Sequence, residues 1–165
     1  MKTIDAGLKT FQSVQGYFVA DRRMLNYVHL NRNLWDRASV VSKFGALSLN
    51  GHIPDTRLND VLARFLLDDV KEGIAAHNLE IFNTLCEDLS FLKKARFVVS
   101  SVLCVHDPRF FPVWDDRRCL IQEWEKQNEV CTYRELKQRI DLYKAENGCN
   151  GLDYFMFNKL LWLCE

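Results

Sequence analysis

Apolar side chains recur at three- and four-residue intervals along most of this chain, the spacing that lines one face of an α-helix. Ile4, Leu8, Phe11, Val14 and Phe18 make a first stripe, and Leu25 and Val28, behind a capping Asp21, a second. Leu34, Trp35, Ala38, Val41 and Phe44 make a third, before Asn50-Gly51 and Pro54 break the pattern. Leu58, Val61, Leu62, Phe65 and Leu66 form the cleanest amphipathic stripe, with Asp55 or Thr56 as its expected N-cap. Ile81, Phe82, Leu85, Cys86 and Leu89 repeat it after Asn78.

Residues 97–105 are apolar on nearly every side, apart from Ser100 and Ser101. Such a run fits a central buried helix or a buried strand. Its β-branched residues favour strand; its helical neighbours and the lack of a partner strand favour helix, which we adopt. Asp107-Pro108 and Pro112 then force an extended or turning segment, because proline disfavours helical geometry in the residue before it. A helix is expected to resume near Asp115 and carry Leu120, Ile121 and Trp124. Thr132 and Glu135 have capping-box spacing ahead of Leu136, Ile140 and Tyr143, and Gly148 and Gly151 close that helix. A last helix carries Leu152, Phe155, Leu160, Leu161 and Trp162. The expectation is an all-α protein, one compact domain over residues 1–165 with about eight helices.

Composition narrows the functional classes. The chain is 48% hydrophobic and carries 22 basic and 22 acidic residues, so it is globular and is not, as a whole, a polyanion binder. Its N-terminus has no apolar run of signal-peptide type, and no stretch approaches membrane-spanning length, which implies a soluble cytoplasmic protein with no membrane partner. The six cysteines are Cys86, Cys104, Cys119, Cys131, Cys149 and Cys164; none has metal-ribbon or redox-pair spacing, and thiols are expected in place of disulfides. His29, His52, His77 and His106 fall in separate segments, so neither a metal site nor a cofactor is expected. Ser100 and Ser101 are expected to bond back to their own helix.

The stretch 93–121 holds the chemistry. Asp115 and Asp116 follow the apolar run 110–114 and precede Arg117 and Arg118. An aspartate there can cap a helix, accepting bonds from the unpaired N–H groups of its first turn. It can also face a cleft, stabilising developing positive charge or orienting a water. Lys93, Lys94, Arg96, Arg109, Arg117 and Arg118 stand against Asp107, Asp115 and Asp116, a local excess of three positive charges that could contact phosphates or form an ordinary solvated surface. Trp114, in the turn before Asp115, could flank a pocket, whereas Trp35, Trp124 and Trp162 sit at core spacing.

This layout resembles the catalytic half of the helix-hairpin-helix DNA glycosylases, the endonuclease III-like group. Phe91-Leu92-Lys93-Lys94-Ala95 resembles the end of the hairpin, 97–105 the buried helix, and Val113-Trp114-Asp115-Asp116-Arg117 the aspartate step. The resemblance implies a catalytic role for Asp115, with Lys94, or else Lys93, near the lysine that attacks the sugar in some members. It implies binding of duplex DNA through Lys93, Lys94, Arg96, Arg109, Trp114, Arg117 and Arg118, and cleavage of the base–sugar bond of a flipped nucleotide. The family hairpin is glycine-rich, whereas residues 86–92 contain no glycine. The alternative is a non-catalytic helical module that binds a protein or a nucleic acid.

Overall fold

The structure is a computed structural model and describes residues 49–164. The three stripes expected before residue 49 lie outside the described residues. Within them the chain forms seven α-helices and two short 3-10 turns, Leu49–His52 and Asp55–Arg57, and no strand. The helices are α1 (Leu58–Phe65), α2 (Asp68–Ala75), α3 (Glu80–Asp88), α4 (Ala95–His106), α5 (Cys119–Lys126), α6 (Tyr133–Glu146) and α7 (Tyr154–Cys164).

α1 buries Val61, Leu62 and Phe65, the face its spacing predicts. Its expected cap is not made: Asp55 and Thr56 belong to the preceding 3-10 turn, and no side chain caps the helix. α2 is not expected from the stripes. Its apolar face is short, Val70 and Ile74, and it is completed by Gly73, which lies against α3. A Cβ on Gly73 would fall 2.2 Å from Cγ1 of Ile81, so only glycine admits this approach.

Three helices end in the same way. At the ends of α2, α5 and α6 a residue with positive φ (His77, Asn128, Gly148) is followed by an N–H that reaches five residues back. These bonds are Asn78 to Gly73, Glu129 to Trp124 and Cys149 to Lys144, each the long bond of a Schellman cap. Glycine and asparagine tolerate the left-handed backbone that this cap needs. Histidine does so at a cost, and the ring of His77 has a second partner in Asp107.

The run 97–105 is helical. Every residue of α4 from Phe97 to His106 is buried, and α4 packs most extensively on α3 while also meeting α7. Being enclosed by other elements explains its lack of a polar face. The capping box at the head of α6 is present in full: Thr132 Oγ1 accepts from the Glu135 N–H, and Glu135 accepts from the Thr132 N–H.

Residues 107–118, between α4 and α5, are irregular yet largely buried, so their backbone polar groups need partners inside the protein. The carbonyl of Pro108 accepts from the Tyr154 N–H, that of Phe110 from Lys137 Nζ, and that of Pro112 from the Tyr133 hydroxyl. The Trp114 N–H donates to Ser100 Oγ at 2.8 Å, while Ser100 donates to its own helix at the Phe97 carbonyl. Residues from α4, α6 and α7 thus hold the segment that carries Asp115.

None of the six cysteines forms a disulfide; Cys104, Cys149 and Cys164 are buried, and Cys119 and Cys131 are exposed. Among the described residues, no helix is long and apolar enough to cross a membrane.

Candidate functional site: the Asp115 corner

Asp115 does not begin a helix. α5 starts four residues later, at Cys119, behind an extended Arg118. Asp115 instead makes a turn of its own: its carbonyl accepts from the Arg118 N–H at 3.0 Å, and its Oδ1 accepts from the Arg117 N–H at 3.1 Å. This local bonding to the backbone two residues on is the alternative to helix that aspartate offers.

The carboxylate is fully buried and heavily bonded. Arg117 grips it with both prongs, Nε at 2.8 Å from Oδ1 and Nη2 at 3.1 Å from Oδ2. Arg118 Nε lies 3.3 Å from Oδ2, and the indole N–H of Trp162, on α7, donates to the same oxygen at 3.3 Å. Burial raises the carboxyl pKa, but the hydrogen bonds and charge of Arg117, with the charge of Arg118, outweigh it and hold the group below its ordinary value. Asp115 is therefore an ionised group used by the fold on both oxygens.

The basic residues divide between the two ends of α4. Lys93, Lys94 and Arg96 stand at its N-terminal end, where they join Arg117 and Arg118. Arg109 follows its C-terminal end, about 18 Å away along a twelve-residue helix. Lys94 does not pair with Asp115: its Nζ lies 2.9 and 3.1 Å from the two oxygens of Asp116. Arg96 pairs with Glu125 at 3.2 Å and lies over the Trp114 ring, 4.3 Å from its centroid. Arg117 lies over Phe97 at 4.4 Å.

Trp124 is buried as its spacing predicts and Trp35 lies outside the described residues, but Trp114 and Trp162 are the reverse of what is expected. Trp114 is buried, stacked with Phe82 and Tyr133, its indole N–H given to Glu125. Trp162 is 45% exposed. Around Trp162 stand Arg118, Lys159 and Arg117, with charge centres 4.8, 5.2 and 5.6 Å from its ring centroid. Among the described residues, Lys94, Arg96, Arg117, Arg118 and Lys159 meet at this corner with the carboxylates of Asp115, Asp116 and Glu125. Sequence reasoning missed Lys159 and the exposed Trp162, which join from α7, remote in the chain, and Glu125, which lies on α5 just beyond the charged stretch 93–118.

A second polar cluster lies beyond the other end of α4. His77 Nε2 lies 2.6 Å from Oδ2 of Asp107, and its ring stacks flat on Phe110, centroids 4.1 Å apart. Next to Phe110, Lys137 donates to the Phe110 carbonyl and to the Tyr154 hydroxyl, which in turn donates to Asp141. Burial lowers the Lys137 pKa against the attraction of Asp141, and burial raises that of Tyr154 together with its bond to Asp141. Among the described residues, no three His, Cys, Asp or Glu side chains are grouped to hold a metal ion. Compared with known protein families, with curated proteins and with solved structures, this chain matches none.

Proposed function

We propose that this chain is a non-catalytic helical module that binds nucleic acid through the cationic corner at the N-terminal end of α4. The observation that carries the proposal is the state of Asp115. A carboxylate that stabilises a sugar cation needs a lone pair facing the substrate. Both oxygens of Asp115 already serve Arg117, Arg118 and Trp162. The same bonds gather cationic groups beside an exposed aromatic ring, a surface suited to phosphates and bases. The missing hairpin glycines agree with a site that does not clamp DNA as glycosylases do.

The glycosylase reading keeps one support, the order of α3, a turn and α4 with Lys94 just before α4. One experiment separates the two. Native protein is titrated into labelled oligonucleotides at rising salt, and damaged duplexes are assayed for base release. Salt-dependent binding without base release is the expected result. Lys93, Lys94 and Arg96, which lie outside the Asp115 bonds, are replaced together by alanine. Affinity should then fall for every sequence, with a salt slope shallower by about three or less, near one for each phosphate no longer neutralised. Base release would restore the glycosylase reading; no binding at low salt would remove both.

A further inference from the structure

We infer that Asn150 is a site of spontaneous deamidation, where the Gly151 nitrogen displaces the side-chain amide and the turn between α6 and α7 acquires an isoaspartyl linkage. The inference is independent of the nucleic-acid reading above. The reaction needs an amide carbon and the next backbone nitrogen free to meet. Asn150 and Gly151 are the central residues of a turn closed by the Leu152 N–H on the Cys149 carbonyl at 3.0 Å. Both are exposed, and a Cβ on Gly151 would meet nothing within 4 Å. Among the described residues, no hydrogen bond engages the Asn150 side chain or the Gly151 N–H. The neighbouring Asn147-Gly148 pair has the same sequence and the opposite surroundings. The Asn147 amide donates to the Tyr143 carbonyl at 2.9 Å, and the Gly148 N–H donates to the Ala145 carbonyl. Gly148 is also fixed at φ 67° in the Schellman cap of α6.

In the reaction the Gly151 nitrogen gives up its proton and bonds to Cγ of Asn150, and the side-chain nitrogen leaves as ammonia with that proton. One water then opens the resulting succinimide at either carbonyl, leaving aspartate or isoaspartate at position 150. Glycine is the residue after which this ring closes most readily, because no side chain hinders the approach of its nitrogen. The isoaspartyl product carries one extra main-chain carbon. The turn leads directly into α7, where Asp153 Oδ1 accepts the Met156 N–H at 2.9 Å and the Tyr154 N–H donates to the Pro108 carbonyl at 2.8 Å. A longer turn strains both of these ties. Aspartate at the same position adds the same negative charge with no extra atom, so charge and chain length are separable.

The test ages the full chain at neutral and mildly alkaline pH, folded and in denaturant. Tandem mass spectrometry locates the gain of one mass unit within the peptide that holds both asparagines. A protein-isoaspartyl methyltransferase with a labelled methyl donor reports the isoaspartyl product. In folded protein Asn150 should convert first, faster at the higher pH, while Asn147 keeps its amide. In denaturant the two should convert at similar rates, because the protection of Asn147 is structural. Gly151→Ala fits the open space, so the variant should fold, and its added methyl should abolish the mass gain at position 150 over the same period. Protein that has accepted label should melt at a lower temperature than Asn150→Asp. Equal conversion of both asparagines in folded protein would overturn the inference. So would conversion of Asn150 only after unfolding, or a mass gain with no methyl acceptance. Equal melting of the labelled protein and Asn150→Asp would overturn the strain on α7.

Discussion

The indole of Trp162 donates its hydrogen bond to Oδ2 of Asp115, 47 residues earlier in the chain. This bond joins the last described helix to the buried segment between α4 and α5, at a carboxylate also held by two arginines. It makes Asp115 a stabilising group with a pH-dependent contribution.

Asp115→Asn keeps the size of the side chain and removes its charge. It weakens the charge-assisted bonds from Arg117 and Arg118, and because Arg117 keeps contact with solvent the cost should be about 1.5–3 kcal/mol. As a helix cap, Asp115 would lose about 1 kcal/mol or less in the same exchange, so chemical denaturation at neutral pH separates the two roles. The pH dependence has a definite sign. The folded-state pKa is depressed below the ordinary 3.8, so the stabilisation is complete above that value and is lost as pH falls through the folded value. The difference between native protein and variant should shrink as acid protonates Asp115. A difference that grows in acid would contradict the assignment.

Gly73→Ala puts a methyl group within 2.2 Å of the Ile81 side chain. Overpacking of this kind costs about 1–3 kcal/mol. Ile81→Ala removes the clashing atoms, so the double variant should lose less than the sum of the single changes. Additive losses in a double-mutant cycle would place the cause elsewhere.

His77 has φ 55° at the left-handed position of the α2 cap while bonding Asp107 and stacking on Phe110. His77→Ala gives up the bond and the stack and keeps the backbone cost. His77→Gly gives up the same two interactions but removes that cost, so glycine should be the milder change by about 1 kcal/mol. Urea denaturation of the two variants measures the difference; an alanine variant as stable as the glycine one would show that the cap carries no strain.

Thiol reactivity should follow burial. Cys119 and Cys131 are exposed and should react first with a thiol reagent. Burial, opposed by the charge of Arg96, pushes Cys86 up to about 12. Burial, with Asp153 and Asp107 adding to it, holds Cys104 well above its ordinary value. The thiolate is the reactive form, so Cys86 should be slow and Cys104 inert until the protein unfolds. Six thiols should titrate in denaturant, and rapid native modification of Cys104 would contradict the close packing around α4.

Helices were legible wherever a local pattern repeated often enough to name a face. The stripes at 58–66 and 81–89 and the capping box at Thr132 needed only neighbours within a few residues, and each became a helix. α2 was missed because a glycine completes its buried face, and glycine carries no hydrophobic signal. The helical state of 97–105 was ambiguous in composition, since full burial erases the polar face that would mark a period.

The sequence by itself determined an all-α domain over the described residues, the turn at Asp107-Pro108, and the adjacency of Asp115 to Arg117 and Arg118. It also placed Lys94 near the aspartate step, but not which aspartate it would meet. Tertiary structure decided that Lys94 pairs with Asp116, that Asp115 is spent on the arginines and Trp162, and that Trp162 is exposed while Trp114 is buried. The physical reason is that burial and pairing belong to the assembled surface. A carboxylate becomes a cap, a catalyst or a buried clasp according to what distant helices bring against it, and α7 brings an indole that no spacing near Asp115 encodes.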